Sequence, residues 1–200
     1  MKMISAIVLA AGMSRRMGEN KLLRAFAGKT MLETTLDHIQ ASGVEEVLVV
    51  LGHDADRLRP LLQGRAVKTV FNPDYATGMT ASIQAGIRAV AAESDGFMIC
   101  LSDMPLIQPD IYRALLSVFS EKKRLEARVI VQPFFKNTAG NPVIFSAVFK
   151  NELLALEFPE GCKPVVQANR NVVVRVEIRD NAVLRDADTP EDFESLLHLE

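Results

Sequence analysis

The chain has 200 residues, 48% of them hydrophobic, enough to bury one sizeable core, so residues 1–200 read as a single domain. Its 25 acidic and 23 basic side chains leave a formal charge of −2, which excludes bulk electrostatic attraction to nucleic acid or to a membrane surface. The two cysteines, Cys100 and Cys162, fit neither a zinc nor a redox spacing, and Met1-Lys2 leads into an apolar run without a cleavage pattern, so a reduced, cytoplasmic protein is expected.

In chain order, residues 4–11 form an apolar run too short for a membrane span and suited to a strand of a parallel sheet. The run breaks into Gly12-Met13-Ser14-Arg15-Arg16-Met17-Gly18, with Lys21 just beyond. Glycines that admit tight backbone paths, together with Ser14, Arg15, Arg16 and Lys21, suit a loop that holds phosphate oxygens through amides, a hydroxyl and cations. Two familiar phosphate motifs are excluded by spacing. Gly18 is followed by Glu19-Asn20-Lys21 rather than by the Lys-Ser/Thr of a P-loop, and Ser14 stands where a dinucleotide fingerprint needs its second glycine.

Further strands are predicted at 46–51, 67–71, 97–101, 129–131 and 172–178. Between them Leu32, Leu36 and Ile39 share one helical face, as do Ile83, Ile87 and Val90, and then Ile111, Leu115 and Val118 behind Pro109 in a first turn. Thr189-Pro190-Glu191-Asp192 reads as a cap, an N1 proline and an acidic first turn, with Phe193, Leu196 and Leu197 docking the last helix. Residues 140–186 are less regular and are expected to hold antiparallel pieces. This alternation predicts an α/β fold, a three-layer α/β/α sandwich around a mostly parallel, Rossmann-like sheet. His38 and His198 fall in helices as surface or packing residues, and His53 at the end of a strand reads first as structural.

In such sheets ligands bind at the carboxyl ends of the strands. That rule selects Asn72-Pro73 with Gly78 to Ser82, then Ser102-Asp103-Met104-Pro105, Asn141 after Gly140, and Asp186-Ala187-Asp188. Asp103 ends an almost purely apolar strand, and spacing alone supports two roles equally: a Mg²⁺ ligand beside phosphates, or a helix cap.

The segment Leu9-Ala10-Ala11-Gly12-Met13-Ser14-Arg15-Arg16-Met17-Gly18-Glu19-Asn20-Lys21 resembles the signature of the MobA-like nucleotidyltransferases, and is most similar to their molybdenum cofactor cytidylyltransferase branch. The resemblance implies a fold of the nucleotide-diphospho-sugar transferase type. It implies nucleotide contacts from Leu9, Ala10, Ala11, Gly12, Ser14, Arg15 and Lys21, with Arg16 and Lys21 acting on the phosphates. Gly78-Met79-Thr80-Ala81-Ser82 is similar to a family stretch near the nucleobase, which adds Gly78, Met79 and Ser82. The family carries Gly-Asp-Met-Pro where this chain has Ser102-Asp103-Met104-Pro105, which implies Asp103 on the metal and Ser102 against the nucleotide. The 186–192 segment is similar to the family's Asp-Ile-Asp-Thr-Pro-Glu-Asp, which implies Asp188 as the second metal ligand, with Asp186 as the alternative. Gly140-Asn141-Pro142-Val143 stands for Gly-His-Pro-Val, and Phe158-Pro159-Glu160-Gly161-Cys162-Lys163 partly matches Gly-Asp-x-Gly-Ala-Arg, so Asn141 and Lys163 are the acceptor candidates.

The implied reaction is attack of a phosphate monoester on the α-phosphorus of CTP, with loss of pyrophosphate and Mg²⁺ as cofactor. A monoester is largely dianionic at neutral pH, its second pKa being about 6, so no general base is needed. The implied acceptor is a molybdopterin-type cofactor, with a molybdoenzyme client as a further partner and neither nucleic acid nor membrane. Two other readings stand beside this one. One is transfer to a sugar phosphate or another phosphomonoester, and the other is a non-catalytic cofactor chaperone or nucleotide-sensing module on the same fold.

Overall fold

The computed structural model of the chain describes residues 3–157 and 160–197. Strand β1 (Ile4–Ala10) leads through the glycine-bounded loop to a small hairpin, β2 (Ala25–Phe26) and β3 (Lys29–Thr30), and then to helix α1 (Met31–Ala41). Strand β4 (Glu46–Leu51), the single turn α2 (Ala55–Leu58), strand β5 (Lys68–Phe71) and helix α3 (Met79–Ala89) follow. Next come β6 (Gly96–Leu101), α4 (Pro109–Leu125), β7 (Ile130–Phe135), β8 (Thr138–Ala139) and β9 (Val143–Ser146). The chain continues through α5 (Lys150–Leu154), α6 (Lys163–Ala168), β10 (Val173–Glu177) and α7 (Pro190–Leu197).

The main sheet runs β10-β7-β9-β6-β1-β4-β5, with β8 appended to β7. β1 pairs in parallel with β4 on one side and β6 on the other, while β9 is antiparallel to both β6 and β7. The reversed β9 is the antiparallel piece expected in the irregular carboxyl third. Helices cover both faces. Leu32, Leu36, Tyr112, Phe119 and Phe193 pack on one side, and Ile83, Ile87, Leu153 and Val165 on the other, so the α/β/α sandwich with a mostly parallel sheet is the observed fold. β4 is buried along its whole length, which explains the unbroken apolar run from Val47 to Leu51 behind its first residue, Glu46.

Local chemistry sets the helix starts. Thr30 and Glu33 form a reciprocal capping box on α1. On α7, Asp192 N donates to Thr189 Oγ1 at 3.1 Å while the Thr189 amide donates to the Asp192 carboxylate at 2.9 Å. Helix α3 lies hard against β1: a Cβ on Gly86 would stand 2.3 Å from Ile7 Cγ2. The β2–β3 hairpin was not foreseen; its turn residues, Ala27 (φ 49°) and Gly28 (φ 74°), carry a signal too short for periodicity to register. His198 and Phe158-Pro159 lie outside the described residues. Among the described residues no helix is long and apolar enough to cross a membrane.

Candidate active site

The order of β4, β1 and β6 makes a switch point at the carboxyl end of β1, where one connection leaves towards each side. Met17 and Leu22 are buried and pin the loop after β1 to the core beside α1. Gly18 (φ 72°) and, unusually for a residue with a Cβ, Ser14 (φ 46°) take left-handed backbone there. The Ser14 hydroxyl accepts from the Lys21 amide at 3.3 Å, and Asn20 caps the 3₁₀ turn Lys21–Leu23 by accepting from Leu22 N at 3.1 Å. These contacts aim the Lys21 side chain back across the strand ends.

The Lys21 ammonium pairs with Asp103 and also reaches Asp188 Oδ1 at 2.9 Å, while Arg16 donates to Asp188 Oδ2 at 2.7 Å. Carboxylate oxygens of Asp103, Asp186 and Asp188 all lie within 4.8 Å of one another. Burial works against the charge of Lys21, but Asp103 and Asp188 outweigh it and raise its pKa above the ordinary value. Burial pushes Asp188 up, and the Lys21 and Arg16 contacts more than reverse that and hold it below the usual carboxylate range. Asp186 has no such compensation: burial first, then the charges of Asp103 and Asp188, raise its carboxyl pKa. Three hard oxygen donors at this spacing fit Mg²⁺ or Mn²⁺, and a partly buried ammonium already seated between two of them marks the place as cation-seeking.

A cavity of about 340 Å³ opens beside this cluster. Leu9, Ala11, Gly12, Ser14 and Lys21 line one wall, and Ser102, Asp103, Asp186 and Asp188 another. Gly78, Met79 and Ser82 close it at the start of α3, whose first turn carries no side-chain cap. Gly78 sits at φ 128°, a conformation that favours glycine, and Asn72 Nδ2 holds the Ser82 hydroxyl at 3.0 Å. Ser102 is spent on the scaffold, its hydroxyl donating to the Leu9 carbonyl at 2.6 Å. Two expected nucleotide contacts are not on these walls. Ala10 packs in the core beneath α1, and exposed Arg15 turns to the Met13 sulfur at 3.5 Å. Tyr75, which also lines the cavity, was missed; an aromatic just beyond Asn72-Pro73 at a strand end was its only sequence signal.

A second cavity, of about 620 Å³, adjoins the first, and Met79 and Leu101 line both. Asn141 and Lys163 border it. The Asn141 amide donates to the Val183 carbonyl at 2.9 Å, and a Cβ on Gly140 would stand 2.4 Å from that same carbonyl oxygen, so this turn is fixed by close backbone contact.

Residues 6–173 match the MobA-like NTP transferase domain. The chain belongs to that family. It is 26% identical to the molybdenum cofactor cytidylyltransferase of Escherichia coli over 199 residues, 96% of this chain and 95% of that one. It is 35% identical over 118 residues to the bifunctional protein GlmU of Bordetella petrii, spanning about a quarter of that protein: 57% of this chain against 26% of GlmU. The crystal structure of Rv0371c from Mycobacterium tuberculosis superposes with a TM-score of 0.87 at 26% identity, covering 98% of each chain. A manganese complex of Rv0371c gives 0.83 at 25% identity, with 98% of this chain and 99% of that one covered. This chain is therefore a MobA-like NTP transferase by family, and it shares the fold of Rv0371c.

Proposed function

We propose that this nucleotidyltransferase moves CMP from CTP to the terminal phosphate of a molybdopterin-type cofactor, with Mg²⁺, and releases pyrophosphate. One observation carries the reading: two cavities share the wall of Met79 and Leu101, one edged by three carboxylates and Lys21, the other by Lys163 and Asn141. A donor nucleotide in the smaller cavity brings its α-phosphorus to the shared wall, where an acceptor phosphate from the larger one can reach it. The full-length similarity to a protein named molybdenum cofactor cytidylyltransferase supports the choice of acceptor and donor.

In this reading Leu9, Ala11, Gly12 and Ser14 carry the triphosphate on backbone and hydroxyl donors, and Lys21 and Arg16 neutralise its charge. Gly78, Met79 and Ser82 face the base at the start of α3, where the N-cap residue supplies no side-chain cap and the helix end favours polar groups. Asp103, Asp186 and Asp188 would hold Mg²⁺, which supplies charge neutralisation and polarisation of phosphoryl oxygens. Catalysis is then positioning and electrostatics, without a general base. The test is a pyrophosphate-release screen of the four nucleoside triphosphates against molybdenum cofactor and common sugar phosphates. Release with CTP and molybdenum cofactor is expected. Release only with a sugar phosphate overturns the acceptor, and none with any pair overturns transfer.

A further inference from the structure

The larger cavity has two opposed walls of different make. One is sheet: Gln132 and Phe134 on β7, alternating to the same face, lie beside Val173 and Arg175 on β10, with Gln132 and Arg175 in register. The other is helix α6 and the turn after it, from which Lys163, Val166 and Arg170 line the space. A flat floor facing a helix leaves a slot rather than a sphere. On that floor the Arg175 guanidinium sits over the Phe134 ring, 3.9 Å from its centroid. The side-chain oxygen Oδ1 of Asn137, from the turn after β7, accepts from the same guanidinium at 2.6 Å and Glu177 Oε1 accepts at 3.3 Å, so its plane is tethered at the edge. Such a plane stacks on an aromatic ring with its free face, which an ammonium cannot do. Lys163, Arg170 and Arg175 stand against one acid, Glu160, so the lining is net cationic.

We propose that Phe134 and Arg175 are the specificity-determining pair of the acceptor cavity, and that they select acceptors with a flat conjugated heterocycle bearing an anionic group. The proposal rests on the transfer reading for its acceptor role, though not for the binding it describes. A saccharide ring, puckered and hydroxyl-covered, gains nothing from a stacked guanidinium and wastes the apolar walls. The slot therefore discriminates by shape and stacking before any chemistry at phosphorus.

The experiment uses the full chain and fluorescence anisotropy of pterin-6-carboxylate, a flat anionic probe, with ribose 5-phosphate as competitor. Saturable binding is expected in the wild type, without competition by ribose 5-phosphate. Arg175→Lys, which keeps the charge and loses the plane, should weaken it about tenfold, the scale of one stacking contact. Phe134→Leu, which keeps apolar bulk, should weaken it as well, while CTP affinity stays unchanged in both. No saturable binding, wild-type affinity in Arg175→Lys, or equal competition by ribose 5-phosphate overturns the proposal. The pyrophosphate screen reports separately on transfer: a chain that binds the probe yet releases no pyrophosphate refutes the transfer reading and leaves the pair standing.

Discussion

With its ammonium between Asp103 and Asp188, Lys21 compensates two carboxylates while a third, Asp186, is left with a pKa raised by burial and then by the charges of its neighbours. Removing that ammonium leaves only Arg16, on Asp188, to compensate the cluster and takes a charge-assisted donor from any bound phosphate. Lys21→Ala should therefore weaken CTP binding by about 1.5–3 kcal/mol in a calorimetric titration with Mg²⁺. Unchanged affinity would remove the loop from the site. Asp103→Asn keeps the shape but replaces an anionic ligand with a poor one, so turnover should vanish while the circular dichroism spectrum is retained. Near-wild-type turnover at saturating Mg²⁺ and CTP would refute the metal role. Lys21 and Asp103 were legible because each closes a strand-to-loop break. Asp186 was legible only as an alternative to Asp188. The two flank Ala187, which is fully buried, and both carboxylates reach the same cluster; a buried small residue between acids is the signal that spacing alone left unused.

At the scale of elements, long apolar periods revealed β1, β4, β6, α1, α3 and α4, because each buries a whole face. The β2–β3 hairpin, α5 and α6 escaped because their burial comes from tertiary placement, which no short window of sequence encodes. Contacts between elements also reverse local rules. In an isolated helix Gly86→Ala would be favourable by roughly 1 kcal/mol. Here the new methyl meets Ile7 at 2.3 Å, and overpacking typically costs about 1–3 kcal/mol, so the substitution should lower the melting temperature. A raised melting temperature would show that α3 can slide away from β1. Thr189→Ala tests a different junction. Losing the cap should cost about 1 kcal/mol and loosen the residue next to Asp188, so thermal stability and Mg²⁺-dependent CTP binding should fall together. A loss of stability with unchanged binding would uncouple α7 from the site.

Across the whole molecule the parallel sheet separates two kinds of polar chemistry. The carboxyl ends of its strands carry the candidate site. The amino ends carry a buried carboxylate, Glu46, which gathers the Ser5 hydroxyl, the Ala91 amide at 3.2 Å and Lys68 at 2.5 Å, tying β1, β4, β5 and the turn after α3 together. The sequence placed Glu46 only as the first residue of a strand, since its partners come from three other segments. Burial pushes its pKa up, but Lys68, Ser5 and Ala91 more than reverse this and hold it below the usual value of 4.5. A carboxyl whose pKa is lower folded than unfolded adds stability that is complete above the unfolded value and is lost as pH falls through the folded one. The melting temperature should therefore drop on acidification from about pH 5 downwards. Glu46→Gln should melt lower at pH 7 and lose less between pH 5 and pH 3. Because Glu46 stands at the far end of the strands from Asp103, CTP affinity of the variant at pH 7 should match the wild type. Parallel melting curves against pH for the two proteins would show that the acid sensitivity arises elsewhere, and altered CTP affinity would show that the two ends of the sheet are coupled.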